Sequence, residues 1–196
     1  MAVQKRQGYI TRYQSIKEKC RTERIKKRIC LTGTSIKFSM ASMSKKSLQQ
    51  TYAAKSICYG RGPANKDGFQ IQSFVDGDKV IATWRPQEHH HAFPNVLNGG
   101  VIGTLLDCHC NWAACWYLMQ HNGLDEPPCT VTAAYDIKLL RPTPMGIALT
   151  LEASLITIED NKAVVKGQLI ANNKVCDTCV GTFVAVEEGH PAFHRW

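Results

Sequence analysis

Asp107 is the only acidic residue between positions 89 and 124, and it lies among Leu105, Leu106 and Cys108. An ionised carboxylate is costly in such surroundings unless it is used or paired. Used, it acts as a general base for water or as a direct nucleophile. Paired, it is a buried acid satisfied by a neighbour such as Asn111 or Thr104. Eight residues upstream stands Asn98-Gly99-Gly100. If a helix begins there, its first N–H groups point outward without partners, and its dipole favours negative charge. Two glycines would let a carbonyl approach those donors because they carry no Cβ. The same residues also fit an ordinary tight turn into a helix. Asn98 either caps that helix or orients a bound group.

These positions need elements to hold them. Val101, Leu105, Cys108, Trp112, Cys115 and Met119 are spaced 4, 3, 4, 3 and 4 residues apart. That spacing predicts a helix over 99–120, ended at His121-Asn122-Gly123. Its opposite side carries Gly103, Asp107, Cys110, Asn111 and Ala114, mostly small, so another element can approach closely. Ahead of it, 69–75 and 79–84 read as a hairpin around Asp76-Gly77-Asp78, and 87–98 as a loop with His89, His90 and His91. Beyond it, 129–141, 147–158, 163–171 and 175–186 read as strands, the first placing Val131, Ala133, Tyr135, Ile137 and Leu139 on one face. One buried helix and about six antiparallel strands make an α+β domain in which a curved sheet wraps a central helix. A doubly wound fold fails for want of crossover helices.

The chain has 196 residues and a formal net charge of +8. Residues 1–55 hold 14 of the 24 Lys and Arg with only Glu18 and Glu23 against them, a net +12. Residues 56–196 hold 10 basic and 14 acidic residues, a net −4. The basic character therefore belongs to an extension, and a nucleic-acid surface on the domain is not expected. The expected organisation is an extension over 1–55, a domain over 56–190 and a tail over 191–196. The extension fits loosely an organelle transit segment, implying mitochondrion or plastid, with a solvated arm or an upstream extension of a cytoplasmic protein as the other readings. It carries a weak helical pattern over 9–29 and none of the chemical groups, so a chain begun near Ser47 is expected to keep its activity. No apolar run reaches the roughly 20 residues needed to span a bilayer.

Nine cysteines stand at 20, 30, 58, 108, 110, 115, 129, 176 and 179. Without a secretory leader they read as reduced, buried small hydrophobes. Cys108 and Cys110 on a helix cannot converge on a metal. Cys176 and Cys179, three apart on a strand, are expected on opposite faces. No metal site and no cofactor fingerprint is expected.

The run His90-Ala92-Asn95-Asn98-Gly99-Gly100, with Asp107 seven residues on, resembles the hotdog-fold thioesterases, specifically the branch related to phenylacetate-pathway enzymes. Their pattern is H-x-N-x-x-G-x-x-H-G-G followed by an acid. His90 falls on the first His, Gly99-Gly100 on the glycine pair and Asp107 on the acid. The stretch Thr130-Val131-Thr132 and Asp136 to Pro142 is similar to the next strand, and the resemblance covers about 57–187. Ala92, Asn95 and Asn98 depart from the pattern, but a subgroup carries Leu-Asn-Gly-Gly, as Leu97 to Gly100 do here. That subgroup has Cys-Tyr/Phe-Gly-Cys-Gly near the domain start. Here Arg61 replaces the second cysteine, and any paired role for Cys58 is lost.

The resemblance implies a hotdog fold and hydrolysis of acyl-CoA or another thioester, with Asp107, Gly99, Gly100, Asn98 and Thr132 as the catalytic set. Thr132 would orient the water, or serve merely as a strand threonine. His90, Phe93, Asn111, Arg141 and Lys138 are the candidates for substrate contact, with Arg61 a further basic residue for the CoA phosphates. Gly99 and Asp107 lie roughly 12 Å apart along one helix, too far to serve one carbonyl and one water. Two such helices packed antiparallel across a twofold axis would close the gap, implying a homodimer or a dimer of dimers. A hotdog hydratase or dehydratase using an Asp and His pair, and a non-catalytic acyl-binding dimer, are the competing readings.

Overall fold

The computed structural model describes residues 46–193. The expected helical stretch over 9–29, Cys20, Cys30 and the last three residues lie outside the described residues. The elements run α1 (Leu48–Tyr52), β1 (Ser73–Asp76), β2 (Lys79–Trp84), a 3-10 turn (Glu88–His90), β3 (His91–Phe93), β4 (Val96–Leu97), α2 (Gly99–Asn122), β5 (Thr130–Leu139), β6 (Leu149–Ile158), β7 (Lys162–Ala171) and β8 (Lys174–Ala185). Six strands form one antiparallel sheet in the order β1-β2-β6-β7-β8-β5, and β3 and β4 form a separate ribbon. The sheet wraps α2, which touches all six of its strands. Among the described residues no helix is long and apolar enough to cross a membrane.

The helix owes its stability to burial rather than to its surface. Leu105, Leu106, Cys110, Trp112 and Leu118 are all within 1% of complete burial. Asn98 caps its start, accepting from the Gly100 and Val101 N–H groups at 2.8 and 3.4 Å. Gly123 ends it in the left-handed region at φ 63°, where a side chain would be strained. The segment expected as a plain loop over 87–98 is instead the 3-10 turn and the β3–β4 ribbon. It pins the helix entrance: Leu97 N–H donates to Thr143 O at 2.9 Å and Asn98 N–H to His90 O at 3.0 Å.

Composition put the domain start at residue 56, but the folded unit begins earlier. Ser47 caps α1, and Leu48, Gln49 and Ala53 are buried. Lysines flanking this short stretch gave it the look of the extension. Gln49 enters a buried polar chain. Its Nε2 donates to Ser73 Oγ at 2.9 Å, and its Oε1 accepts from Ser73 N at 2.8 Å. Ser73 Oγ lies 2.9 Å from His109 Nδ1, and His109 Nε2 lies 3.1 Å from Val80 O. A carbonyl can only accept, so Nε2 carries the proton and Nδ1 accepts from Ser73.

Two strand readings are corrected by bulges. Thr132 pairs with Phe183 but Ala134 with Thr182, so Ala133 is an extra residue in β5. An extra residue reverses the alternation beyond it. Thr130 and Thr132 therefore face α2 together with Tyr135, Ile137 and Leu139, and Val131 and Ala133 do not share their face as simple alternation expected. In β8, Leu169 pairs with Asp177 and Ile170 with Val175, leaving Cys176 extra. Cys176 and Cys179 consequently pack into the same core cluster rather than on opposite faces.

The relay through His109 has a measurable signature. Burial holds the His109 imidazole down at about 4, against an ordinary 6.5. Between these values the unfolded chain takes the proton and the folded one does not. This group's contribution is thus intact above pH 6.5 and is lost as pH falls toward 4. The loss by pH 4.5 is on the order of 2–3 kcal/mol. His109→Gln can keep both hydrogen bonds without a titrating ring. In urea unfolding at pH 7.5 and 4.5, the variant should lose less stability than the parent by about that amount. Removing residues 1–43 should leave the urea midpoint unchanged, whereas removal through Lys55 should lower the unfolding free energy by at least about 1–3 kcal/mol, since it strands buried Ser73.

Candidate active site

Asp107 sits in the third turn of α2, where the sheet leaves a strip of the helix partly open. Gly99, Gly100, Gly103, Thr104 and Asp107 line this strip, and Tyr135, Ile137 and Leu139 of β5 face it, enclosing a cleft of about 340 Å³. The glycines of the floor leave the strand side chains at ordinary contact distance and widen the cleft beside them. A Cβ on Gly99 would lie 3.4 Å from the Leu139 Cδ1, and one on Gly103 would lie 3.5 Å from the Ile137 Cδ1.

The carboxylate has one direct partner. Thr132 Oγ1 donates to Asp107 Oδ1 at 2.7 Å. Thr132 reaches it only because the bulge at Ala133 lets Thr132 and the cleft-lining residues share a face. Partial burial pushes the Asp107 carboxyl above the usual carboxylate range. The Thr132 hydrogen bond and the Arg61 guanidinium pull it back, and the Cys58 sulfur opposes them. Neither Asn111 nor Thr104 satisfies this acid. Thr104 Oγ1 donates instead to Gly100 O at 3.1 Å.

Asn111 is a hub behind the carboxylate rather than a substrate contact. It is 2% exposed; its Oδ1 accepts from Thr130 Oγ1 at 2.9 Å, and its Nδ2 donates toward Thr132 Oγ1 at 3.5 Å. Arg61 also donates to Asn111 Oδ1, and its guanidinium lies 6.0 Å from the Trp112 ring centroid. The residue read as a surface cation for phosphates is thus turned inward behind Asp107. Sequence reasoning missed this role; the one signal was an arginine inside a Cys-x-Gly-x-Gly run whose glycines force the loop against the helix.

At the helix entrance the donors are unequal. Asn98 takes the Gly100 and Val101 N–H groups, so its side chain acts as a cap and Gly100 N–H is engaged. Ile102 N–H bonds Asn98 O at 3.1 Å. Gly99 N–H has no acceptor among the described residues, and Gly99 lines the cleft.

The remaining candidates lie elsewhere. His90 is buried, with Nδ1 accepting from Gln87 N–H at 3.0 Å and its ring packed on Phe69 and Trp84. Burial holds its imidazole below the ordinary value. It supports the helix entrance through its carbonyl and does not line the cleft. Phe93 is 69% exposed on β3, outside the cleft. Arg141 donates to Val175 O at 2.6 Å, bracing the end of β5 against β8. Lys138 alternates with the cleft-lining residues and is exposed on the other face. Cys58, expected to be without a paired role, packs against the core cluster that contains Cys108. No three His, Cys, Asp or Glu side chains among the described residues are grouped to hold a metal ion.

No family model matches the chain, and the search of curated proteins finds no match. Solved structures do match. A thioesterase superfamily protein from Shewanella loihica PV-4 is 30% identical, with a TM-score of 0.52, covering 64% of this chain and 98% of its own. The PaaI protein of the E. coli phenylacetic acid degradation operon is 18% identical, with a TM-score of 0.51, over 61% of this chain and 81% of its own. A thioesterase from Haemophilus influenzae is 22% identical, with a TM-score of 0.51, over 62% of this chain and 84% of its own. The last two share the fold. The Shewanella protein is matched over nearly its whole length at 30% identity, and with the six-stranded sheet wrapped on one long helix this places the chain in the hotdog-fold thioesterase superfamily.

Proposed function

We propose that this protein hydrolyses an acyl-CoA thioester to a carboxylic acid and free CoA. The observation that carries this reading is Asp107 itself. It is a partly buried carboxylate, oriented by Thr132, in a cleft whose other end is the unpaired Gly99 N–H at a helix start. The N–H polarises the thioester carbonyl and steadies the developing oxyanion. Asp107 activates water as a general base, or attacks directly to give an anhydride that water then opens. Turnover in heavy-oxygen water separates these two routes, since only direct attack leaves the label in Asp107 after one turnover.

The two ends of the cleft lie roughly 12 Å apart along α2. One chain cannot hold both against one thioester, and a second copy supplies the missing half. The surface fits that role. β5 is an edge strand of the sheet, and Tyr135, Leu139 and Leu140 are each more than half exposed along it. A twofold pairing there brings Gly99 of one protomer toward Asp107 of the other and covers the apolar edge. The hydratase reading needs a histidine working with Asp107. Both His109 nitrogens are engaged, by Ser73 and Val80, and the ring is fully buried, which speaks against it.

A panel of short, long and aryl acyl-CoAs, assayed for free thiol, tests the activity. Enoyl-CoA hydration without thiol release, or binding without turnover, would replace the hydrolase reading. Asp107→Asn should keep the fold and lower kcat by roughly 10²–10⁴. Gly99→Val should crowd the carbonyl position and also reduce turnover. Mixing the two inactive homodimers creates heterodimers with one intact site. Activity should recover toward about a quarter of the parent's in a random mixture, since half the dimers are mixed and each has one good site of two. No recovery, with exchange confirmed by native mass spectrometry, would refute the shared site.

The pH profile follows from the same geometry. Turnover requires ionised Asp107, so kcat should fall as pH drops through a midpoint above the usual carboxylate range. Thr132→Val removes a donor that favours the ionised form, and the acid limb should move to higher pH.

A further inference from the structure

Cys58 opens a loop that Gly60 lets press against α2. A Cβ on Gly60 would lie 2.4 Å from Cys108 Sγ and 3.0 Å from Thr104 Cγ2, so only glycine allows this approach. A Cβ on Gly62 would lie 2.5 Å from both Cys58 N and Ser56 O, so the loop also folds back on its own start. Backbone bonds hold it there: Gly62 N–H to Cys58 O at 2.8 Å, Phe69 N–H to Tyr59 O at 2.8 Å and Ile71 N–H to Gly60 O at 3.1 Å. The result sets Cys58, half-buried, against the core cluster that holds buried Cys108. Arg61 is near both this pair and Asp107.

We infer that Cys58 and Cys108 are a dithiol site oxidised by hydrogen peroxide, closing to a disulfide that joins the 58–62 loop to α2 beside Asp107. The two thiols are inequivalent in the way this chemistry needs. The neighbouring Cys108 thiol and the Arg61 charge hold the Cys58 thiol down at about 5, while the Cys58 sulfur and burial push Cys108 up. Cys58 is thus the thiolate and the more accessible sulfur.

In the first step the Cys58 thiolate attacks one peroxide oxygen. The S–O bond forms, the O–O bond breaks, and hydroxide leaves to be protonated to water. In the second step the Cys108 sulfur attacks the Cys58 sulfenic sulfur. The S–S bond of about 2.05 Å forms, and the second oxygen leaves as water with the Cys108 proton. Each sulfur gives up one electron, and one peroxide yields two waters. Cys110 and Cys179 form a second thiol contact, but both are at most 1% exposed, so an external oxidant does not reach them.

This inference concerns the thiols and stands whether or not the protein proves to be a hydrolase. The test uses the full chain, reduced and freed of reductant, exposed to graded hydrogen peroxide, then alkylated and mapped without reduction. The expected product is a linked pair of peptides bearing Cys58 and Cys108, two hydrogens lighter than the sum and separated by dithiothreitol. In Cys108→Ser, Cys58 should stop at a sulfenic acid trapped by dimedone. In Cys58→Ser, Cys108 should remain a thiol. A measurement on the unsubstituted protein guards against variants that misfold. At pH 6, iodoacetamide should label Cys58 roughly tenfold or more faster than any other mapped cysteine. Equal labelling of all cysteines, peroxide linkage of Cys110 to Cys179 in place of Cys58 to Cys108, or absence of oxygen on Cys58 in Cys108→Ser would overturn the inference.

Discussion

Three polar side chains occupy five consecutive positions of a helix that the sheet encloses on nearly every side, and the buried His109 and Asn111 have to be satisfied without water. His109 is served by Ser73 and Val80, Asn111 by Thr130 and Arg61, and Asp107 by Thr132. Each partner comes from a different part of the fold. An unpaired polar group at such positions costs 1–3 kcal/mol or more, so the placement of β1, β5 and the 58–62 loop around α2 is tightly constrained. Only Asp107 keeps one flank toward a cleft. The same demand that organises the core thus isolates the carboxylate that can do chemistry.

That constraint also explains what in the sequence was legible. The 4, 3, 4, 3, 4 stripe defined α2 because burial on one side of a helix imposes that period, and the structure gives Gly99–Asn122 against an expected 99–120. The six strands of the sheet appeared within a few residues of their expected places for the same reason. Asp107 could be singled out because a lone acid in an apolar helix has few innocent explanations. Its partner was harder. Both Asn111 and Thr104 lie at helical spacing from Asp107, whereas Thr132 reaches it only through a bulge that no local pattern announces.

Other features were hidden by averages. The folded unit begins ahead of residue 56 because a buried Gln49 looks, by composition, like part of a polar extension. Arg61 is basic and near a turn, which suggests a solvated cation; its inward course follows from Gly60 packing the loop on Cys108 and Gly62 folding it back on its own start. Asn98 could cap or orient, and the structure uses its side chain to cap. This division of labour at the helix entrance leaves Gly99 N–H as the unpaired donor there and engages Gly100.

The strand order carries a consequence for how the chain is made. α2 leaves the ribosome before any of β6, β7 and β8, which supply much of its cover, and β8 begins 52 residues beyond the end of the helix. Even β5, the first strand after it, cannot join the sheet until β8 exists, since β8 is its only neighbour. At roughly 5–20 residues per second, the apolar helix waits several seconds with only the short elements ahead of it, among them the β1–β2 hairpin and the 58–62 loop, to lean on. Such an interval favours association with a chaperone or with another nascent copy. Yield of soluble protein should therefore depend more on synthesis rate and temperature than the stability of the finished fold would suggest.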